Sequence, residues 1–381
     1  MKPGSTAARQ PSIDVLRAVA IVLMVTVHFV ENLSGAYGAD GGPLLGAYRY
    51  WWLPTGFAAP LFTFLSGASY RFWVVGQERR GRDTDAISKA TIRRGLFLIL
   101  LGLVFNVAVW MPEDVFNWDI LTFIGAALIV LDVVRRLPPA VPLVACGILV
   151  TLAPVLRLIA GYGDYWTAGY FDYDFTLGDV VLGFLVTGFF PIFPWLVFPI
   201  AGFLASVSIF SPPTVLQRLR PAMIGAALLL AALATVLVRP WLPASLVTTS
   251  SPWTMFPATT TYVLGTLGAT ILAATLLHRT VDLRTARSAN GWQARILDWA
   301  AMISRHSLSL YLLHHVVHLW PLWLIGAATT EEPTSLWQIA MPPSMSLVLA
   351  FVFLAVASAV FAFIDRVRAP TVETLLRWLC D

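Results

Sequence analysis

The chain has 381 residues, of which 58% are hydrophobic and only 12% are charged, and its mean hydropathy is +0.75. A soluble protein of this size carries about 25% charged residues, so the composition excludes an ordinary soluble enzyme and indicates an integral membrane protein. The formal net charge is +4, but the basic residues fall in short loops between apolar runs, and nucleic-acid binding is not expected. Cys146 and Cys380 provide neither a disulfide framework nor a CxxC metal site.

A helix needs about 20 mostly apolar residues to cross a bilayer. The sequence therefore predicts a single all-α transmembrane domain over residues 1–381, and the first helix lacks a signal-peptide cleavage pattern and is expected to be retained. About ten spans are predicted, at 13–32, 54–75, 93–111, 119–137, 139–161, 191–210, 221–239, 255–278, 297–326 and 344–366. The ninth of these, 297–326, is long enough to tilt or break. Pro191, Pro194 and Pro199 predict a broken or re-entrant segment before the sixth span.

Lys and Arg in short loops set the orientation of a membrane protein. Basic residues fall in every second loop and in the C-terminal tail, whereas acidic residues dominate the loops between them. The basic loops are therefore predicted to be cytoplasmic, and both termini with them. The longest stretch between spans, 162–190, then falls on the outer side. Its aromatic and acidic residues suit the binding of a sugar ring and equally suit an aromatic belt at the membrane interface. The basic residues lie around 79–94, 135–136, 218–220, 279–295 and 366–377.

The first span contains Asp14, Arg17 and His28. At 100° per residue, Arg17 and His28 lie about 20° apart around the helix and about 16 Å apart along it, with Asp14 about 40° from His28 on the other side. All three share one face, and ionisable residues inside a membrane usually mark function. The alternatives are interfacial anchoring for Asp14 and Arg17 and a hydrogen-bonded core histidine for His28.

The ninth span carries a polar stripe at helical spacing, formed by Ser307, Tyr311, His314, His315 and His318. Counted from the cytoplasmic side, His314 lies about 26 Å along its helix and His28 about 22 Å along the first, so the two could face one cavity. A metal site at His314 and His318 is the competing interpretation. No acidic ligand or ligand from a third helix is evident, so no metal is predicted.

Lys89, Arg93 and Arg94 cluster at the cytoplasmic mouth of the third span. The positive-inside rule is sufficient to explain them. The functional interpretation is an anchor for a cytosolic polyanion such as the phosphates of coenzyme A. The sequence contains no motif typical of nucleotide hydrolysis, zinc proteolysis or serine-hydrolase chemistry.

Several segments resemble membrane acyltransferases of the heparan-alpha-glucosaminide N-acetyltransferase type and their bacterial relatives, which are related to the acyltransferase-3 proteins. The first, SIDVLRAVAIVLMVTVH, has an Arg and a His eleven residues apart, as in the first helix of acyltransferase-3 proteins. The others follow in order as PLFTFLSGASYR (60–71), RRGLFLILLGL (93–103), WDILTFIGAALIVL (118–131), FPIFPWLVFPIAGF (190–203), MFPATTTYVLGTLGATILAATLLHR (255–279) and SLSLYLLHH (307–315).

The resemblance implies a cytosolic acyl-CoA donor, with acetyl-CoA as the expected co-substrate and no resident cofactor. It implies that His28 is the active-site histidine, Arg17 its partner and His314 the histidine that ends the YLLH motif. In the glucosaminide enzymes a histidine follows the first span, but residues 29–53 here contain none. This departure favours His28 as the base and weakens glucosamine as the acceptor. The substrate-binding candidates are Asp14, Arg71, Arg93, Arg94, Asp119, Tyr311 and His315.

The expected partners are acyl-CoA, membrane lipids and a carbohydrate, glycolipid or other small acceptor at or across the membrane. A homodimer is left open. The expected location is a bacterial-type inner membrane, in which the chain is a multi-pass protein.

In the expected reaction, His28 takes a proton from an acceptor hydroxyl or amine as it attacks the thioester, and Tyr311 or His314 donates a hydrogen bond to the oxyanion. An acyl-histidine intermediate is an alternative route. The alternative function is a secondary transporter or flippase for a small polar solute, because broken helices and ionisable residues near the midplane also suit transport. No two equivalent halves with paired discontinuous segments are visible, however. A structural membrane subunit would leave the aligned ionisable residues unexplained.

Overall fold

The computed structural model describes residues 10–34, 56–167, 170–210, 215–247, 249, 251–283 and 291–381, and their regular structure is almost entirely helical. The first third contains α1 (Pro11–Ser34), α2 (Ala58–Arg79), α3 (Thr84–Val109), α4 (Ile120–Val134) and α5 (Ala140–Ile159). The middle contains α6 (Leu177–Leu182), α7 (Ile192–Trp195), α8 (Val197–Phe210), α9 (Val215–Val238) and α10 (Thr260–Leu277). The last part contains α11 (Gly291–Arg305), α12 (Ser307–Thr330), α13 (Pro343–Val367) and α14 (Val372–Cys380).

Short elements complete the chain. A hairpin pairs β1 (Trp166–Thr167) with β2 (Tyr170–Phe171) in antiparallel register. One π-helical turn, Gly183–Thr187, follows α6, and another, His278–Asp282, extends α10. Single 3₁₀ turns lie at Pro112–Asp114, Tyr162–Tyr165, Arg239–Trp241, Ala244–Leu246 and Pro333–Leu336.

Each predicted span coincides with a helix, but within the described residues only eight helices are long and apolar enough to cross a membrane. The remaining two predicted spans correspond to α4 and α2. Helix α4 has only 15 residues, and in α2 polar residues including Arg71 interrupt the apolar run. The total of ten and the cytoplasmic side of both termini stay predictions. Part of the predicted basic loop, 284–290, lies outside the described residues. The eight are Pro11–Ser34, Thr84–Val109, Ala140–Ile159, Leu177–Phe210, Leu219–Trp241, Thr260–Asp282, Ser307–Thr330 and Pro343–Val367.

Two of the predicted spans are interrupted, as their sequences indicated. In the proline-rich segment, extended backbone at Gly188 and Pro191 separates α7 and α8 from α6, and Phe193 leaves helical geometry within α7 with φ −96° and ψ 113°. The ninth span divides at His306 into α11 and α12. There Asp365 of α13 accepts hydrogen bonds from Arg305 at 2.6 Å and His306 at 2.9 Å, which fixes the junction.

Helix α1 is the central element of the bundle. It contacts α2, α10, α11, α12 and α13, so its polar face is enclosed by protein rather than by lipid. The helix begins where Asp282 accepts hydrogen bonds from the Ser12 backbone N–H at 2.8 Å and from its hydroxyl at 2.6 Å. At its other end, the backbone carbonyl of Asn32 accepts from the N–H of Gln338 at 2.8 Å. The polar stripe of α1 is therefore held in a fixed orientation.

Glycines let α2 and α8 approach closely. A Cβ atom on Gly67 would lie 1.9 Å from the carbonyl oxygen of Pro199, and one on Gly202 would lie 1.9 Å from that of Phe64. Small residues at such crossings are typical of membrane helices, whose association depends on backbone-to-backbone packing. The pair α2–α8 therefore forms a wall of fixed position beside α1.

We predict that Gly67→Ala lowers the unfolding midpoint in detergent, because the added methyl group has no space and α2 must move away from α8. Overpacking of this kind costs about 1–3 kcal/mol. The matched control is Gly76→Ala in the same helix, where a Cβ atom meets nothing within 4 Å. Equal midpoints for the two variants, measured by thermal unfolding, would contradict this packing.

Candidate functional site

The polar face of α1 begins at a guanidinium held by hydroxyl groups from two other helices. Arg17 donates from Nη1 to Ser304 Oγ at 2.8 Å and from Nη2 to Ser69 Oγ at 2.5 Å. Ser304 lies near the end of α11 and Ser69 lies in α2, while Asp14, one turn earlier in α1, is buried. Arg17 is thus placed in a protein-lined environment, as the predicted inward face of α1 requires.

Further along α1, His28 meets the histidines of α12. Its ring centroid lies 5.4 Å from that of His314 and 4.7 Å from that of His315, and the last two rings are 4.0 Å apart. One ring nitrogen of each residue lies within 4.8 Å of the others. The structure therefore brings together the two histidines predicted to lie at similar depth, and it adds His315. We refer to His28, His314 and His315 as the histidine triad.

The hydrogen bonds of His314 define its tautomer. Its Nδ1 lies 2.5 Å from the backbone oxygen of Tyr311 and 3.2 Å from that of Leu310, so Nδ1 carries the proton and donates. In a neutral imidazole the other nitrogen is then an acceptor. Nε2 is buried and has no hydrogen-bond partner in the described part of the chain. His314 thus presents a lone pair to the triad.

His318 belongs to the same stripe but has both nitrogens occupied. Nδ1 donates to the backbone oxygen of His314 at 2.5 Å, and Nε2 lies 2.7 Å from the side-chain nitrogen of Asn32, from which it accepts. This buried pair joins α12 to α1. His318 is therefore a structural residue, and the triad contains His315 in its place.

His315 faces aromatic rings and the triad. Its ring centroid is 5.2 Å from that of Trp110 and 5.7 Å from that of Phe105. Its Nδ1 is buried and has no hydrogen-bond partner in the described ranges of the chain. The triad thus contains two buried nitrogens that are not saturated by protein groups, next to His28, whose side chain is 30% exposed. His28 is therefore the member of the triad with an exposed surface.

Tyr311 and Asp119, predicted separately as substrate-binding residues, form a pair. The Tyr311 hydroxyl donates to Asp119 Oδ2, while Oδ1 accepts from the backbone N–H of Ile120 at 2.6 Å and caps the start of α4. The Tyr311 ring lies 5.6 Å from the rings of both His314 and His315. Since its hydroxyl is engaged by Asp119, Tyr311 would have to release that bond before donating to an oxyanion.

The other predicted arginines are Arg71, Arg93 and Arg94, and none of the contacts described for them involves the triad. Arg71 stacks over the ring of Phe203 at 5.2 Å. Arg93 is exposed on the first half of α3. Arg94 lies 4.3 Å over the ring of Trp73 and donates from Nε to Asp381 at 2.9 Å. Of these three arginines, Arg93 presents its charge to solvent.

The sequence interpretation did not identify Glu31 and Asn32. Glu31 Oε2 lies 4.0 Å from His28 Nδ1, and its side chain is 39% exposed. Both residues lie about one helical turn after His28, so the rotation used for Arg17 would have placed them on the same side of α1. Helical spacing from His28 is therefore the sequence signal that identifies both residues.

The arrangement also changes the reasoning about metals. The sequence suggested His314 and His318 as a pair without a ligand from another helix, whereas in the structure His28 supplies a nitrogen from α1 and His318 is engaged by Asn32. The sequence-based prediction of no metal rested on the His314–His318 pair and did not consider the triad, and nothing in the described residues tests it. Within the described residues, the triad is the group of His, Cys, Asp and Glu side chains whose geometry could hold a metal ion.

Comparison with known protein families places the chain in a described family. The family described as heparan-alpha-glucosaminide N-acetyltransferase, catalytic, matches residues 9–236, which is more than half of the chain and includes α1 with Arg17 and His28. A search among curated proteins gives no significant match.

We predict that Tyr311→Phe destabilises the protein, because Asp119 loses the partner of one carboxylate oxygen beside the triad. An unsatisfied group of this kind costs about 1–3 kcal/mol. The double variant with Asp119→Asn should be no less stable than Tyr311→Phe alone, since a neutral amide is cheaper to leave unpaired. Thermal unfolding of the four proteins in the cycle gives the coupling energy, and additive effects would contradict the pair.

Proposed function

Because the chain belongs to the heparan-alpha-glucosaminide N-acetyltransferase catalytic family, a family of membrane acetyltransferases, we propose that it transfers an acetyl group from acetyl-CoA to a hydroxyl or amine of a carbohydrate or lipid-linked acceptor. The observation that carries the proposal is the histidine triad beside the polar face of α1. Family membership does not favour the alternative of a transporter or flippase.

His28 is the general base in this proposal. It is the partly exposed member of the triad, so an acceptor can reach it. A neutral imidazole carries a lone pair that can take a proton, which suits this side chain to general-base chemistry. His28 takes the proton of the acceptor O–H or N–H while that atom attacks the thioester carbonyl. The C–S bond then breaks, and the imidazolium returns the proton to the leaving thiolate.

His314 supports the charge that forms on His28. Its Nδ1–H is held by backbone carbonyls, so its Nε2 is available to accept a hydrogen bond from the imidazolium of His28. The same tautomer makes a neutral His314 unsuitable as an oxyanion donor. We assign that role to His315, whose Nδ1 has no partner in the described residues and can carry the donated proton.

The acyl-CoA would approach from the end of the bundle that holds the basic residues. Arg93 is exposed at the start of α3 and is suited to bind the phosphates. Arg17 lies about 16 Å from His28 along α1, on the path of an extended pantetheine arm between the phosphates and the triad. Its two hydroxyl partners, Ser69 and Ser304, pre-orient it for this contact.

The acceptor would approach from the opposite end. Trp110, against His315, lies 6.1 Å from Trp337, whose ring is 4.7 Å from that of Tyr170 in the hairpin. Gln338 donates to the Tyr170 hydroxyl at 3.3 Å. This aromatic wall runs from the hairpin to the triad, and flat rings with nearby polar groups suit the faces of sugars. It supports a carbohydrate acceptor and a place for the stretch 162–190 in binding it.

We predict that His28→Gln lowers the acetylation rate by about 100-fold or more, the usual effect of removing a general base. The measurement is the release of free thiol from acetyl-CoA by purified protein supplied with a panel of sugar and lipid-linked acceptors. The control is His278→Gln, a histidine bonded to Asp282 at the other end of the bundle. Rates within twofold of the wild-type protein for His28→Gln would exclude His28 as the base.

We predict that Arg93→Gln raises the KM for acetyl-CoA about fivefold with little change in kcat, because a solvent-exposed ion pair contributes about 1 kcal/mol. With S-acetyl-pantetheine, which lacks the nucleotide phosphates, the variant and the wild-type protein should behave alike. Arg366→Gln, an exposed arginine in the last turn of α13, is the control. A KM effect that persists with the truncated donor would show that Arg93 does not bind the phosphates.

A further inference from the structure

We propose that His28, His314 and His315 form a binding site for a divalent transition-metal ion of the zinc class. The inference goes beyond acetyl transfer, and metal binding by these residues does not depend on it. Two helices supply the ligands, α1 one and α12 two, and one nitrogen of each lies within 4.8 Å of the others.

The hydrogen bonds of His314 orient one ring nitrogen as a metal ligand requires. A metal-bound histidine usually donates its other ring N–H to a backbone carbonyl or carboxylate, which fixes the tautomer. His314 does so through Nδ1 to the carbonyls of Tyr311 and Leu310, and this leaves Nε2 as a buried lone pair without a partner in the described chain. His315 Nδ1 is a second buried nitrogen without a partner in the described chain, and it would bind the ion in the tautomer that carries the ring proton on Nε2.

The spacing requires only a small closure. In a tetrahedral site with Zn–N bonds of about 2.0–2.1 Å, ligand nitrogens are about 3.4 Å apart. His28 is partly exposed and has the side-chain freedom to move toward the two histidines of α12. Its partly exposed side also leaves room for water as the fourth ligand, as in sites with three histidines.

The charge of the ion would be compensated nearby. Three neutral imidazoles leave a divalent ion with its full positive charge, which is costly in a membrane interior. Glu31 lies 4.0 Å from His28 Nδ1, and Asp119 is linked through Tyr311 to the rings of His314 and His315. Two carboxylates thus flank the site without being ligands.

The ligand set defines the class of ion. Imidazole nitrogens suit zinc, copper, nickel and cobalt, whereas magnesium and calcium prefer oxygen ligands. The ion and a substrate proton would use the same lone pairs. On the proposed function, metal occupancy therefore removes the base, and zinc is expected to inhibit acetyl transfer.

The test is cobalt and zinc binding by full-length protein, purified through a tag that contains no histidine and treated with a chelator. We expect one Co²⁺ per chain by elemental analysis, with the visible absorption of nitrogen-ligated cobalt, and a rise in unfolding temperature with Zn²⁺. His28→Ala and His314→Ala should lose all three signals. His318→Gln, in the same helix but bonded to Asn32, should keep them.

Equal cobalt uptake by the wild-type protein and His28→Ala, or no uptake by the wild-type protein, would overturn the site. Where an alanine variant is not monodisperse, His28→Asn and His314→Asn replace it and carry the same expectation. Metal binding is measured without acyl-CoA. A protein that binds cobalt but transfers no acetyl group therefore contradicts only the proposed function, and an active protein that binds no cobalt contradicts only the metal site.

Discussion

The central constraint on this protein is that polar side chains inside a membrane must find partners within the protein. Helix α1 carries several of them along its length, and different neighbouring elements provide their partners. Asp282 caps Ser12, Ser69 and Ser304 hold Arg17, and His318 bonds Asn32. The exception is the level of His28, where two facing nitrogens are left without partners in the described residues. These two nitrogens belong to His314 and His315, and both residues lie against His28.

Saturation also explains why the residues of the polar stripe on α12 differ in role. His318 has both nitrogens engaged and can only hold helices together. His314 has one nitrogen fixed and one available, which is the condition of a directed base or ligand. His28 lies against His314 and His315, and its own side chain is partly exposed. The proposed acetyl transfer and the proposed metal binding would therefore use the same lone pairs.

The sequence predicted the helical class, the inward face of α1 and the common depth of His28 and His314. These depend on helix geometry, in which rotation and rise per residue are nearly constant. It could not predict the pairing of Tyr311 with Asp119, or of Arg94 with Asp381, because those residues meet only after distant helices pack. The position of His315 rather than His318 in the triad likewise depends on Asn32, which bonds His318 and lies on the same side of α1 as His28.

A structure of the protein bound to a non-transferable thioether analogue of acetyl-CoA would test the proposed site without relying on any variant. We expect the phosphates to lie at the exposed Arg93 end of α3 and the pantetheine arm to pass Arg17. The acyl carbonyl should then lie within hydrogen-bonding distance of the histidine triad. An analogue bound with its acyl end away from His28, or entering from the hairpin side, would contradict this arrangement.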